Sequence, residues 1–172
     1  MSALENSLRR LQLDCIPLYQ IHWPNGKTNI EDTLETLMRC QEAGKIRYIG
    51  ITGHRDPAAL LKAISLYDFD AVQMPLNVVD KHYLSFEEQV LPGLVDKNLG
   101  VLAMKSLAMG EIRKQGIVSV NEALQYVWSL PVSVLISGCD SLEVLDQNVT
   151  FAKMFQSISQ QEKSDLLHRT KA

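Results

Sequence analysis

The sequence predicts an α/β fold of about five parallel strand–helix units, and three observations carry that reading. Short apolar runs that do not alternate recur at Cys15–Ile21, Ile46–Ile51, Ala71–Leu76, Val101–Met104 and Val132–Ile136. Strands buried on both faces of a parallel sheet have this character. Amphipathic stretches, each opened by a capping residue, lie between the runs. The runs begin near residues 15, 46, 71, 100 and 132, a repeat of about 29 residues, which is one strand–helix unit. Eight such units need roughly 230 residues, near the size of a (β/α)8 barrel, whereas this chain holds 172. The spacing leaves two architectures: a complete five-stranded open sheet, and a partial (β/α)8 (TIM) barrel lacking three units. No glycine-rich phosphate loop of the G-x-G-x-x-G or G-x-x-x-x-G-K kind follows a strand, which weakens the open nucleotide-binding sheet. The chain also starts on a helix with no strand before it, which favours the barrel.

Each element has a local reason. Ser2 with Glu5 predicts a capping box, after which Leu4, Leu8 and Leu11 share one helical face. Thr28 with Glu31 opens a second helix whose apolar stripe is Leu34, Leu37 and Met38, and Gly44 is placed to end it. Asp56-Pro57 reads as an N-cap followed by a proline in the first turn, leading into Leu60, Leu61 and Ile64. Pro92 either starts a short helix or kinks one begun at Ser85. Ser119 with Glu122 begins a helix through Leu124, Val127 and Trp128. Ser141 opens one carrying Leu145 and Val149, and Ser159 with Glu162 begins the last. Pro17 deprives the first strand of a ladder bond and is placed near its start.

Composition narrows the function classes. Hydrophobic residues make up 46% and charged residues 22%, ordinary for a globular domain and wrong for a disordered chain. One domain over residues 1–172 is the expected organisation. The net charge of −3 and the lack of a Lys/Arg cluster argue against a nucleic-acid partner. No apolar run approaches the ~18 residues of a membrane span. Cys15, Cys40 and Cys139 are odd in number and widely spaced, which fits free thiols and a cytoplasmic location.

Chemistry in parallel α/β folds gathers at the carboxyl ends of strands. Those ends deliver His22 and Trp23, then Thr52, Gly53 and His54, then Gln73 to Asn77, then Lys105 and Ser106, and finally Ser137 to Asp140. From position alone, His22 reads equally as a structural imidazole or an acid–base group, with Trp23 as an aromatic wall. Thr52 and His54 suit loop capping as well as a ligand role. Gln73, a primary amide on an apolar run, needs partners and is suited to orienting another amide. Lys105 either reaches solvent or faces an anion. Ser137-Gly138-Cys139-Asp140-Ser141 is a turn ahead of a helix, a reasonable anion site. Asp80 and His82 have no third ligand at suitable spacing, so a metal is not expected.

These segments resemble the aldo-keto reductases. Ser7-Leu8-Arg9-Arg10-Leu11 through Asp14 and then Leu18 to Pro24 look like the family's fourth-strand signature. Gly44 to Ile51 is similar to its fifth strand, Ala71 to Asn77 to its sixth, and Gly100 to Lys105 to its seventh. Ile136-Ser137-Gly138 with Ser141 to Asn148 resembles the eighth. The order is collinear and implies strands four to eight of the barrel.

The resemblance implies a part of an NAD(P)H-dependent enzyme that reduces aldehydes or ketones by hydride transfer. His22 matches the catalytic histidine that polarises the carbonyl, and Trp23 falls on the substrate side. Gln73 matches the amide that holds the nicotinamide carboxamide, and Thr52 keeps a hydroxyl where serine is common. Lys105, Ser106, Ser137 and Gly138 fall in segments that line the cofactor's pyrophosphate and ribose, and Gln147 and Asn148 match the pair at adenine. Gly53 stands where asparagine is usual. Gly138 and Val144 stand where many members place basic residues against the 2′-phosphate, so NADP(H) is favoured over NAD(H) by family likeness only.

The family's aspartate, tyrosine and lysine lie on units before its fourth strand, and nothing before Ser7 matches them. Tyr19 and Lys45 match other family positions. The 172-residue chain alone is therefore expected to be inactive and to self-associate through its exposed first and last strands. The alternatives are a non-catalytic binding relative of the family, a gene remnant, and an unrelated five-stranded domain.

Overall fold

A computed structural model describes residues 2–22 and 29–171. The elements run α1 (Ser2–Leu11), β1 (Ile16–Ile21), α2 (Ile30–Glu42), β2 (Ile46–Thr52), α3 (Pro57–Ile64) and β3 (Ala71–Pro75). They continue as α4 (Phe86–Gln89), α5 (Leu91–Asp96), β4 (Gly100–Met104), α6 (Glu111–Gln115), α7 (Val120–Trp128), β5 (Val134–Leu135), α8 (Leu142–Lys153) and α9 (Gln160–Thr170). Strands thus alternate with helices as the spacing predicts, and the sheet keeps chain order, β1-β2-β3-β4-β5. Two compact units are distinguished, Met1–Val72 and Gln73–Ala172.

In the first unit β1 and β2 pair in parallel from Ile16 opposite Ile46 to Ile21 opposite Ile51. Ile46, Ile49, Ile51, Leu34, Leu37, Leu60 and Ala63 form its buried interior, joined by Leu4 and Leu8 of α1. Gly50 is required by packing. A Cβ there would lie 3.0 Å from Gln20 Cγ, 3.1 Å from the Ala71 carbonyl and 3.2 Å from Leu18 Cδ1. Asp70 fastens to β2 twice, its N–H donating to Ile49 O at 2.9 Å and its carboxylate accepting from Ile49 N at 2.8 Å. Pro17 is the second residue of β1 and is exposed, so its missing donor costs the ladder little.

In the second unit β4 and β5 pair in parallel, Leu102 with Val134 and Ala103 with Leu135. Met74, Leu94, Ala103, Leu124 and Tyr126 are fully buried there. The strand expected at Val132–Ile136 is regular only over Val134–Leu135. Its bonding reaches further, because Ser133 N donates to Val101 O at 2.8 Å and Ile136 N to Ala103 O at 2.8 Å.

Most caps fall where the sequence places them. Ser119–Glu122 and Ser159–Glu162 are complete capping boxes, Asp56 accepts from Ala58 N at 2.9 Å, and Ser141 from Val144 N at 3.3 Å. Gly44 ends α2 at φ 71°. The α2 cap is a correction: Asn29 holds it, its Oδ1 accepting from Asp32 N at 3.2 Å. Thr28 lies outside the described residues, as does the Ser2 side chain. Both readings of Pro92 contribute, since Ser85 caps the single turn α4 and Pro92 sits in the first turn of a separate α5. Leu11, Met38, Leu145 and Val149, expected on buried faces, are exposed.

Candidate functional site

In the first unit the loop ends of β1 and β2 bring two imidazoles together. His22 follows buried Ile21 and is itself exposed, and its ring meets that of His54 edge to face, centroids 4.8 Å apart and planes at 80°. Edge-to-face contact restrains the orientation of both rings. His22 borders a cavity of about 480 Å³ with Gln20, Asp32, Thr36 and Leu37 among its walls. Thr52 is buried at the end of β2. Trp23 lies outside the described residues.

Gly53 has a steric reason. A Cβ there would lie 2.7 Å from Leu60 Cδ2 and 3.1 Å from Leu60 Cβ, and Leu60 is only 1% exposed. The core leucine occupies the space a larger residue would need, so the asparagine common in the family has no room in this packing.

In the second unit Gln73 is the half-buried centre of β3, and its Nε2 donates to Met104 Sδ at 3.2 Å. Asn77, 2% exposed, organises the loop beyond. Its Oδ1 accepts from Val79 N at 3.0 Å and Asp80 N at 2.9 Å. Its Nδ2 donates to Asp80 Oδ2 at 2.8 Å and to the Lys105 carbonyl at 3.1 Å. Lys105 is held at φ 56°, the left-handed region that non-glycine residues seldom enter. Ala108, Met109 and Gly110 also have positive φ, so the segment after β4 folds back on itself. Burial pushes the Asp80 carboxyl above its ordinary value, against the opposing pull of Asn77 and Lys105.

That folded segment and the β5–α8 turn enclose an open cleft of about 610 Å³. Four residues selected from the sequence line it: Lys105, Ser106, Ser137 and Gly138. Ser106 is buried, and Ser137 Oγ accepts from Asn148 Nδ2 at 3.1 Å. Gln147 is exposed on α8 and does not line the cleft, and Asn148 reaches it through Ser137. Two further wall residues, Arg113 and Lys114, were missed by sequence reasoning. Their signal was the basic pair in Glu111-Ile112-Arg113-Lys114, which reads as an ordinary exposed helix face.

Among the described residues, no three His, Cys, Asp or Glu side chains gather to hold a metal ion. No described helix is long and apolar enough to cross a membrane.

Residues 1–119 match the model of the Aldo/keto reductase family, and the chain belongs to that family. Aldo-keto reductase YhdN of Bacillus subtilis strain 168 is 37% identical over 111 residues, 64% of this chain and 32% of that protein. Aldo-keto reductase yakc of Schizosaccharomyces pombe, whose name carries NADP(+), is 34% identical over 108 residues, 63% of this chain and 32% of its own. These alignments span about a third of either relative's length. Among solved structures, the holo form of aldo-keto reductase AKR11C1 from Bacillus halodurans superposes with a TM-score of 0.80 at 21% identity, covering 99% of this chain and 66% of that one. Glycerol dehydrogenase AKR11B4 from Gluconobacter oxydans gives 0.76 at 23% identity, covering 99% and 64%. The fold is thus part of an aldo-keto reductase barrel, in agreement with the strand count.

Proposed function

We propose that these 172 residues form one incomplete cytoplasmic domain, a fragment carrying the cofactor side of an NAD(P)H-dependent enzyme that reduces small carbonyl compounds. What supports the reading is one observation: Lys105, Ser106, Ser137 and Gly138, drawn from two distant segments, line a single cleft. A lysine, two hydroxyls and open space over Gly138 suit a phosphate-bearing ligand.

Carbonyl reduction adds a hydride to carbon and a proton to oxygen. The nicotinamide, when bound, supplies the hydride. Gln73 offers a carboxamide to orient a second amide, and Asn148 fixes Ser137 on the cleft wall. His22 presents an imidazole at the end of β1, braced by His54. An N–H from His22 to the carbonyl oxygen draws charge toward that oxygen and makes the carbon a better hydride acceptor. Protonating the resulting alkoxide needs a donor of tyrosine type, which the family likeness assigns to none of these residues. The chain alone therefore binds cofactor weakly and does not turn over.

The test is to titrate the 172-residue chain with NADP+ and NAD+, following tryptophan fluorescence, and to assay NADPH oxidation with a simple aldehyde. Binding with a dissociation constant of about 0.1 mM or weaker, without turnover, is the expected result. Steady aldehyde reduction overturns the claim of inactivity, and no binding at millimolar cofactor overturns the cofactor reading.

A further inference from the structure

We propose that Arg113, on α6, selects for the 2′-phosphate and so makes this cleft prefer NADP(H) over NAD(H). The proposal rests on the cofactor reading above and adds the residue that decides between the two cofactors.

The two cofactors differ at one group, a phosphate monoester that carries between one and two negative charges near neutral pH. A cleft discriminates between them only if it holds a cation that this phosphate alone engages. The β5–α8 side supplies none, because Gly138 and Val144 occupy the positions where the family commonly places bases, and Asp140 adds a negative charge. The cations come from the other segment: Lys105, Arg113 and Lys114.

These three are not equivalent. Lys114 Nζ is paired with Glu111 Oε1 at 2.6 Å. Lys105 has Asp80 near enough for its charge to pull that carboxyl down against burial. Arg113 is exposed and has no salt bridge among the described residues, so it is the cation least neutralised by the protein itself. Its helix is anchored, since neighbouring Ile112 is 5% exposed and Gly116 closes α6 at φ 65°. A guanidinium also matches phosphate geometry with two parallel N–H donors, which an ammonium does not.

The experiment compares 2′,5′-ADP with 5′-AMP, which lacks only the 2′-phosphate, as ligands of the 172-residue chain by isothermal titration. These probes carry the adenosine phosphates without the nicotinamide, so they report on this cleft independently of hydride transfer. The unmodified chain is expected to bind 2′,5′-ADP about tenfold more tightly than 5′-AMP, the range expected for one charge-assisted pair. Arg113→Ala removes that preference and leaves 5′-AMP affinity within about twofold, whereas Arg113→Lys keeps part of it. Far-UV circular dichroism checks that the variants fold, which the exposure of Arg113 favours.

A preference that survives Arg113→Ala overturns the proposal, as does an equal loss for both ligands, which would place Arg113 on the shared phosphate. Failure of the unmodified chain to bind either probe overturns the cofactor reading itself. That result is distinct from binding without selectivity.

Discussion

Tyr126 donates a hydrogen bond from Oη to Glu87 Oε2 at 2.6 Å, joining α7 to α4 inside the second unit. The same carboxylate takes Lys163 of α9 at 3.0 Å and Lys81 at 3.1 Å through Oε1. Its side chain is 9% exposed and those of the lysines 24% and 20%. One acid thus ties down the loop after β3 and three helices. Removing it by Glu87→Ala strands a buried hydroxyl and the partly exposed Lys163 ammonium, while Lys81 keeps Glu88 Oε1 at 3.1 Å. The expected cost is about 2 kcal/mol, below the range for fully buried pairs because the lysines retain water. Urea unfolding measures it, and a change within error would show the cluster to be incidental.

The same cluster predicts an acid limb to stability. Burial pushes the Glu87 carboxyl up, but the Tyr126 hydrogen bond, Lys163 and Lys81 outweigh it and hold it below its ordinary 4.5. Burial and the neighbouring carboxylate push the Tyr126 hydroxyl far up, so it stays a neutral donor. A carboxyl with a lowered folded value contributes stability that is complete above its unfolded value and is lost as pH falls through the folded one. Melting temperature should therefore drop below about pH 4.5, with a shallower drop in Glu87→Gln. Parallel profiles for the two proteins would remove Glu87 from the account.

Gly53 predicts a packing penalty. Leu60 stands 2.7 Å from where a Cβ would be, so Gly53→Ala forces a core side chain to move at about 1–3 kcal/mol. Leu60→Ala opens that space at its own cost. The double variant should then be less destabilised than the sum of the singles. Strict additivity in urea unfolding would mean the two positions do not compete for volume.

What the sequence made legible is what is local. Asp56, Ser119 and Ser159 cap the helices they precede because a side-chain oxygen and the N–H that donates to it lie two or three residues apart. The strand count followed from apolar runs and their spacing, and His22, Gln73 and the serines followed from strand ends. Asn77 and Lys105 were each visible as loop residues, but their bond spans 28 positions. The Tyr126–Glu87 bond spans 39, and no periodicity announces such a pairing. Leu145 and Val149 show the complementary limit. Helical period marks their side of α8 as apolar, but it does not say whether anything covers that side, and both are exposed.

Asn77 should support the cleft without lining it. Its amide holds the Lys105 carbonyl at 3.1 Å while Lys105 keeps its left-handed backbone. Asn77→Ala removes donors and acceptors at a 2% exposed position, for an expected loss of about 2 kcal/mol. It also releases Lys105, so affinity for 2′,5′-ADP should fall together with stability. Lys105→Gly relieves the backbone, and any gain in melting temperature would come with weaker ADP binding because the ammonium is gone. Retention of full affinity in Asn77→Ala would separate the loop clamp from the cleft.

The apolar residues about β5 predict self-association of the 172-residue chain. Val134 is 52% exposed and Ile136 42%, and beyond them lie Leu142 at 75% and Phe155 at 37%. A strand at the end of a sheet with an apolar surface beside it invites pairing with another copy, which natural edges resist with charge. Sedimentation velocity at tens of micromolar should show species heavier than a monomer. Val134→Lys places an ammonium on that edge and should shift the distribution toward monomer, since the lysine side chain reaches water from an already exposed position. A monomeric unmodified chain with a sharp two-state melt would contradict the prediction. Association unaffected by Val134→Lys would move the contact away from β5.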